Sequence, residues 1–280
     1  MRDSRIVRDN LVKTGILLFH GISGMPEEFR YLSNTLEREG YVVSAPLIPG
    51  LGCGTDVAHL AKWEDWLSAA EKAFFALEGK CDRVIVGGLS AGATLALELC
   101  NRYQDRVAGV VLLAPTLKVN GFSIPWTFKL FTLCQQSIVA RLFNFSEREP
   151  FGLKDERIRK MAMDAMRAAS VGTADQFFQV NGMIFYQLRR LRRQLIGKLS
   201  NISRPTLIIH PRDDDQSSVT NALYLQTRLS GPMEVLILDD SYHVVTLDKQ
   251  RQIVAERDSS FAARLNVGQQ FSPQYSASAQ

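Results

Sequence analysis

The chain is organised by an alternation that few folds can accommodate: strand-sized apolar runs take turns with helix-sized amphipathic runs. Gly15 to Phe19 is followed by a helix-like stretch from Pro26 to Glu39, which opens on proline and two glutamates and stops at Gly40, the signals that helix electrostatics and capping favour. Tyr41 to Ala45 reads as the next strand and Trp63 to Leu77 as the next helix. Arg83 to Gly88, Val107 to Ala114, Thr206 to His210 and Glu234 to Leu238 are further strands, with helices near Val219 to Leu229 and Leu247 to Leu265. This βαβα rhythm predicts an α/β fold, a mostly parallel sheet with helices on both faces. In such sheets functional groups gather at the carboxyl ends of the strands.

The rhythm lapses between Ala114-Pro115 and Arg204-Pro205. That segment has few β-branched runs, an aromatic part from Gly121 to Phe128 and a charged, helical part from Lys154 to Arg193. It predicts a helical cap over 119–200, inserted between core segments 1–118 and 201–266. The polar, low-complexity end, 267–280, is expected to be a disordered tail. A chain of 280 residues that is 46% hydrophobic can bury a core of that size. Its longest apolar runs fall short of the ~20 residues of a membrane helix. The N-terminal MRDSRIVRDN lacks the apolar centre of a signal peptide, which predicts no transmembrane segment and a cytoplasmic protein. Cys53, Cys81, Cys100 and Cys134 show no C-x-x-C spacing and read as incidental thiols rather than a metal or redox site.

The net charge of +4 is modest, and part of it is concentrated in LRRLRR. Arg189, Arg190, Arg192 and Arg193 are either the solvated face of a helix whose leucines join the core, or a docking patch for an acyl carrier protein or another anionic surface. No nucleic-acid-binding motif is present.

The chemistry concentrates where RVIVGGLSAGATLALELC changes from strand-like to helix-like. Gly88-Leu89-Ser90-Ala91-Gly92 matches G-x-S-x-G, a sharp strand-to-helix turn that exposes a nucleophile. The pattern arises by chance in roughly one chain in ten of this length, so its context decides. A serine needs a base within hydrogen-bond reach and a carboxylate to orient that base. Of four histidines, His20 ends the first strand, His59 follows a Gly-rich loop and His210 ends an apolar strand, where a structural role is expected. His243 lies in a loop entered from Glu234 to Leu238, at the sheet edge expected for Ser90, and is the candidate base. Asp213, Asp214 and Asp215 follow the strand Thr206 to His210; any one of them is a candidate for the carboxylate. The order Ser, Asp, His is that of the α/β-hydrolases. For an oxyanion, the N–H of Ala91 supplies one donor and that of Ile22, in His20-Gly21-Ile22-Ser23-Gly24, the second.

With these residues in hand, the chain resembles the bacterial carboxylesterase and monoacylglycerol lipase branch of the α/β-hydrolase superfamily. The resemblance spans Gly15 to Leu265 and is strongest in LLFHGISG, GGLSAG, and the paired PTLIIHPRDDD and SYHVVTLD. In the family pattern the acid stands three residues after a glycine that follows the strand. Pro211 takes the glycine's place here, and the register selects Asp214. Ser217 departs from the apolar residue usual three places beyond the acid. The resemblance implies an α/β-hydrolase fold with a cap, and hydrolysis of carboxylic esters of medium-chain acyl groups through an acyl-enzyme, with no metal or organic cofactor. Ser90 would attack, His243 would relay its proton and Asp214 would orient the imidazole.

Phe122, Ile124, Trp126, Phe128, Leu130 and Phe131 either line an acyl pocket or form the cap's own core; Phe122 and Trp126 are the candidate substrate-binding residues. The same triad types would also serve a thioesterase or acyltransferase acting on acyl groups carried by coenzyme A or a carrier protein. A non-catalytic binding protein on the same fold is the rival from another class.

Overall fold

The computed structural model of the chain describes residues 12–52, 61–131, 133, 136–146, 148–169, 179–267 and 275–276. The first part runs β1 (Thr14–Phe19), a 3-10 turn (Pro26–Phe29) leading into α1 (Arg30–Arg38), β2 (Val42–Ser44), α2 (Trp63–Glu78), β3 (Arg83–Leu89), α3 (Ala91–Arg102) and β4 (Val107–Leu113). Then follow α4 (Trp126–Phe131), α5 (Ser137–Ala140), β5 (Asn144–Ser146), α6 (Glu156–Ala169), β6 (Gln179–Asn181) and α7 (Gly182–Ile196). The chain returns to the sheet with β7 (Thr206–Pro211), α8 (Thr220–Gln226), β8 (Met233–Leu238), α9 (Arg251–Val267) and β9 (Tyr275–Ser276).

The main sheet has the order β2-β1-β3-β4-β7-β8-β9, and its described neighbours all pair in parallel. Its central strands are apolar at nearly every position because both faces are covered. In β1, Leu17 and Phe19 face one helical layer and Ile16 and Leu18 the other; β3 divides Val84 and Val86 from Ile85 and Leu89 in the same way. α2, α3, α7 and α8 contribute to the first layer, α1 and α9 to the second. The period-two alternation of strand side chains turns one hydrophobic run into two cores.

Boundaries shift where local hydrogen bonding competes. The last helix begins at Arg251 rather than near Leu247, because the Leu247 and Asp248 N–H groups both donate to the Val244 carbonyl in a tight turn. In the expected tail, Tyr275 and Ser276 pair with Val235 and Leu236 of β8; the rest of 268–280 lies outside the described residues, as do His59, Cys53 and Cys134. Of the other thiols, Cys81 is half-buried, and Cys100 is buried, its pKa pushed up to about 12 by loss of solvent.

The insertion between β4 and β7 contains one element that the sequence does not announce, an antiparallel ladder of β5 and β6 that pairs Asn144 with Asn181 and Ser146 with Gln179. A small aromatic core supports it. Phe128 packs edge-on to Phe145 and Phe185, each at 5.0 Å between ring centroids, and Phe131 meets Phe145 at 4.8 Å. α7 then rejoins the main body: Leu188, Leu191 and Leu195 are buried in the layer formed by α2 and α3. The arginines of LRRLRR occupy the outer side of that helix. Arg190 pairs with Glu64 at 3.2 Å, and the Arg189 guanidinium lies over Tyr186. That is the helix-face arrangement, and nothing here supports the anionic or carrier-protein partner. Among the described residues, no helix is long and apolar enough to cross a membrane.

Candidate active site

β3 ends at Leu89 and α3 starts at Ala91, so Ser90 alone makes the turn, with φ 59° and ψ −119°. An L-residue held there stores strain on the order of 1–3 kcal/mol and stays there only where its surroundings impose it. They do: the Ser90 N–H donates to the Leu113 carbonyl at 2.9 Å, and its own carbonyl accepts from Ala93 at 3.1 Å and Thr116 at 3.3 Å. The flanking glycines answer to β1 as much as to the turn itself. A Cβ on Gly88 would stand 2.6 Å from the Phe19 carbonyl oxygen, and one on Gly92 would overlap the carbonyls of Phe19 and His20. The buried Ser90 hydroxyl lies 3.1 Å from the Thr116 hydroxyl. Thr116 is a neighbour the sequence gives no signal for, since no motif marks the third residue after a buried strand.

The three aspartates have three different environments. Asp213 is exposed. Asp214 is buried and meets His243 Nδ1 through both oxygens, at 3.0 and 2.8 Å, while its Oδ1 also accepts the N–H groups of Gln216 and Ser217. The Nδ1 position therefore carries the proton, which leaves Nε2 as the basic nitrogen of a neutral ring. Asp215 faces elsewhere, accepting from the backbone N–H of Gly152 at 2.9 Å and of His243 at 3.3 Å; burial raises its pKa. A second buried carboxylate does similar work, since Asp248 accepts from the N–H groups of Lys154, Asp155 and Tyr242. Ser217, the departure from the family pattern, is satisfied despite complete burial: its hydroxyl donates to the Pro115 carbonyl at 3.1 Å.

The other described histidines are structural. His210 Nε2 donates to the Ser217 carbonyl at 2.7 Å, and burial lowers its pKa. His20 Nε2 accepts the Ile48 N–H at 2.9 Å and its Nδ1 faces the Gly21 carbonyl, so the ring is neutral; burial again lowers its pKa. His20 thus braces the loop that carries Ile22. Gly21 sits directly against Ser90, since a Cβ there would lie 3.1 Å from the Ser90 Cβ. The Ala91 N–H is in the first turn of α3, where no intrahelical acceptor exists.

Ser90, Ile22 and Thr116 line one part of a cavity of about 410 Å³ that extends beneath the insertion. Phe128, Phe131, Phe143, Phe145 and Phe185 line it too, together with Ile124 and Val180; Arg148 and Gln216 are polar members of the wall. Phe122 and Trp126 do not line it. They are 61% and 71% exposed, and Phe122 packs against Tyr242 instead. α4 explains the correction: Phe128 and Phe131, three residues apart, turn inward, whereas Trp126 and Leu130, four apart, share the outer face.

Compared with known proteins, the chain is 27% identical over 251 residues to the thermostable monoacylglycerol lipase of Bacillus sp. (strain H-257), covering 89% of this chain and 90% of that one. It is 21% identical over 255 residues to a carboxylesterase of Bacillus subtilis (strain 168), covering 90% and 93%. Among solved structures, a metagenome-derived lipolytic enzyme superposes with a TM-score of 0.74 at 23% identity, over 90% of this chain and 94% of its own. The model of the alpha/beta hydrolase family matches residues 16–257. With that match running from β1 into the last helix and taking in the serine turn and the histidine loop, the chain belongs to the alpha/beta hydrolase family.

Proposed function

We propose that the protein is a cytoplasmic serine hydrolase that cleaves carboxylic esters of medium-chain acyl groups through an acyl-enzyme. Ser90 Oγ attacks the ester carbonyl while His243 Nε2 takes its proton. Asp214 holds the Nδ1–H tautomer and stabilises the imidazolium, and the N–H groups of Ile22 and Ala91 receive the oxyanion. His243 then returns the proton to the leaving alcohol, and water repeats the sequence to release the acid. The observation that carries this reading is the buried contact of His243 Nδ1 with both oxygens of Asp214, at the sheet edge where Ser90 makes its strained turn. The phenylalanine-lined cavity supports an acyl substrate, because an alkyl chain is held by apolar area.

The test is hydrolysis of a p-nitrophenyl ester series from acetyl to palmitoyl by the protein and by Ser90→Ala. Turnover with an optimum at intermediate chain length, absent from Ser90→Ala, is expected. A folded protein that turns over no ester and takes no label from a serine-directed phosphonate would end the proposal.

A further inference from the structure

The cavity wall mixes two chemistries. Five phenylalanines are its apolar members, while Arg148 adds a cation and Gln216 an amide beside Ser123, Thr127, Asn144 and Ser146. The backbone ties Arg148 and Gln216 to the histidine. Gln216 donates its N–H to Asp214, the carboxylate that holds His243. Arg148 accepts the Phe151 N–H at 3.0 Å, closing a turn that delivers Gly152 to the histidine loop. There the Gly152 N–H meets Asp215, its carbonyl accepts from Val244 at 2.8 Å, and a Cβ on it would lie 3.3 Å from the His243 Cβ.

Arg148 is a solvent-exposed arginine and, among the described residues, the arginine that lines the cavity. Arg148 makes no ion pair among the described residues, and no Asp or Glu lines the cavity. A cation facing an acid-free cavity favours an anionic ligand, and a guanidinium suits the flat, two-oxygen face of a carboxylate or phosphate.

We propose that the substrate is an ester whose alcohol half carries a phosphate or carboxylate, and that Arg148 binds this acid. The proposal rests on the ester-hydrolase reading for its chemistry. His243 protonates the leaving alcohol in that mechanism, so the alcohol leaves toward the histidine loop, to which the turn from Arg148 to Gly152 is tied. Water is consumed, the acyl–oxygen bond breaks, and the products are a fatty acid and an alcohol that keeps its acid group. The neutral monoacylglycerol becomes the weaker substrate.

Three decanoyl esters separate the cases: those of glycerol, glycerol 3-phosphate and glyceric acid, which differ only in the group beyond the ester. Binding is measured by calorimetry on Ser90→Ala, so that the readout does not depend on turnover, and again on Ser90→Ala with Arg148→Gln or Arg148→Lys. One acidic ester is expected to bind about tenfold or more tightly than decanoyl glycerol, with added salt reducing the difference. Arg148→Gln should abolish that preference by weakening the acidic ester at least tenfold more than decanoyl glycerol; Arg148→Lys should restore it in part. The acid that gains most identifies the natural group. Equal binding of all three esters, no binding of any, or an equal loss for all in Arg148→Gln, overturns the proposal. Parallel turnover by the wild-type protein tests the hydrolase reading separately. Arg148-dependent binding without hydrolysis would sink that reading and leave the anion site standing.

Discussion

The hydroxyls of Ser90 and Thr116 lie 3.1 Å apart, and the Thr116 hydroxyl also donates to the Ala114 carbonyl at 3.2 Å. Thr116 has one proton for two neighbours; when it goes to the carbonyl, which only accepts, Ser90 is the donor in this pair and its own proton points to Thr116. Thr116→Val, which keeps the shape and removes the acceptor, should speed labelling by a phosphonate by about two- to tenfold, with Thr116→Ser close to wild type. Slower labelling by the valine variant would show that the threonine aids attack.

The aspartate triplet separates orientation from support. Asp214→Asn should keep the fold and lower kcat by on the order of 10³–10⁴, since an amide no longer favours the Nδ1–H tautomer. Asp213→Asn should leave activity within twofold of wild type. Asp215→Ala orphans the buried N–H groups of Gly152 and His243 and should lower stability by about 1–3 kcal/mol for each. Activity assays beside urea denaturation check all three.

Asp258 is fully buried in α9, accepts no hydrogen bond among the described residues, and has its pKa raised by burial from 3.8 to about 7. Between those values the folded protein keeps a proton that the unfolded chain has released, so stability falls as pH rises. Across the window this amounts to on the order of 4 kcal/mol. His20 and His210, with lowered pKa values, act in the opposite sense near their ordinary 6.5. The informative quantity is therefore the difference between the wild type and Asp258→Asn. The asparagine variant should lose less stability between pH 4 and 8 in urea melts at fixed temperature. Equal losses would mean that the carboxyl finds water.

Two glycines test sterics against backbone conformation. Gly92→Ala drives a methyl into the carbonyls of Phe19 and His20 and should leave little folded protein. Gly40→Ala meets no atom within 4 Å but adopts φ +93°, so its cost should stay near 1–2 kcal/mol. Thermal unfolding distinguishes the two.

Phe145→Ala should shift the ester chain-length optimum upward, because removing a ring from the cavity wall enlarges the cavity. Trp126→Ala should leave the optimum where it is, since that ring is exposed. A shift with Trp126→Ala alone would restore the reading made from sequence.

The sheet was legible because burial on both faces forces β1, β3, β4 and β7 into continuous apolar runs. Ser90 and His243 stand out in the sequence as candidates because each follows a strand toward one edge of the sheet. The β5 and β6 ladder was not, because Asn144–Ser146 and Gln179–Asn181 are short and mostly polar, and aromatic rings from distant segments hold them. The cavity wall was misread for a related reason. Phe122, Trp126 and Phe128 are equally aromatic in sequence, and only the rotation of a six-residue helix separates the inner from the outer rings. Thr116 and Asp248 act through backbone positions far along the chain, which no local pattern encodes.

Asp215 and Asp248 fasten residues 152–155 to the loop that presents His243. Mechanically, that arm of the insertion and the loop of His243 are one lever, and moving the arm outward would pull the imidazole away from Asp214.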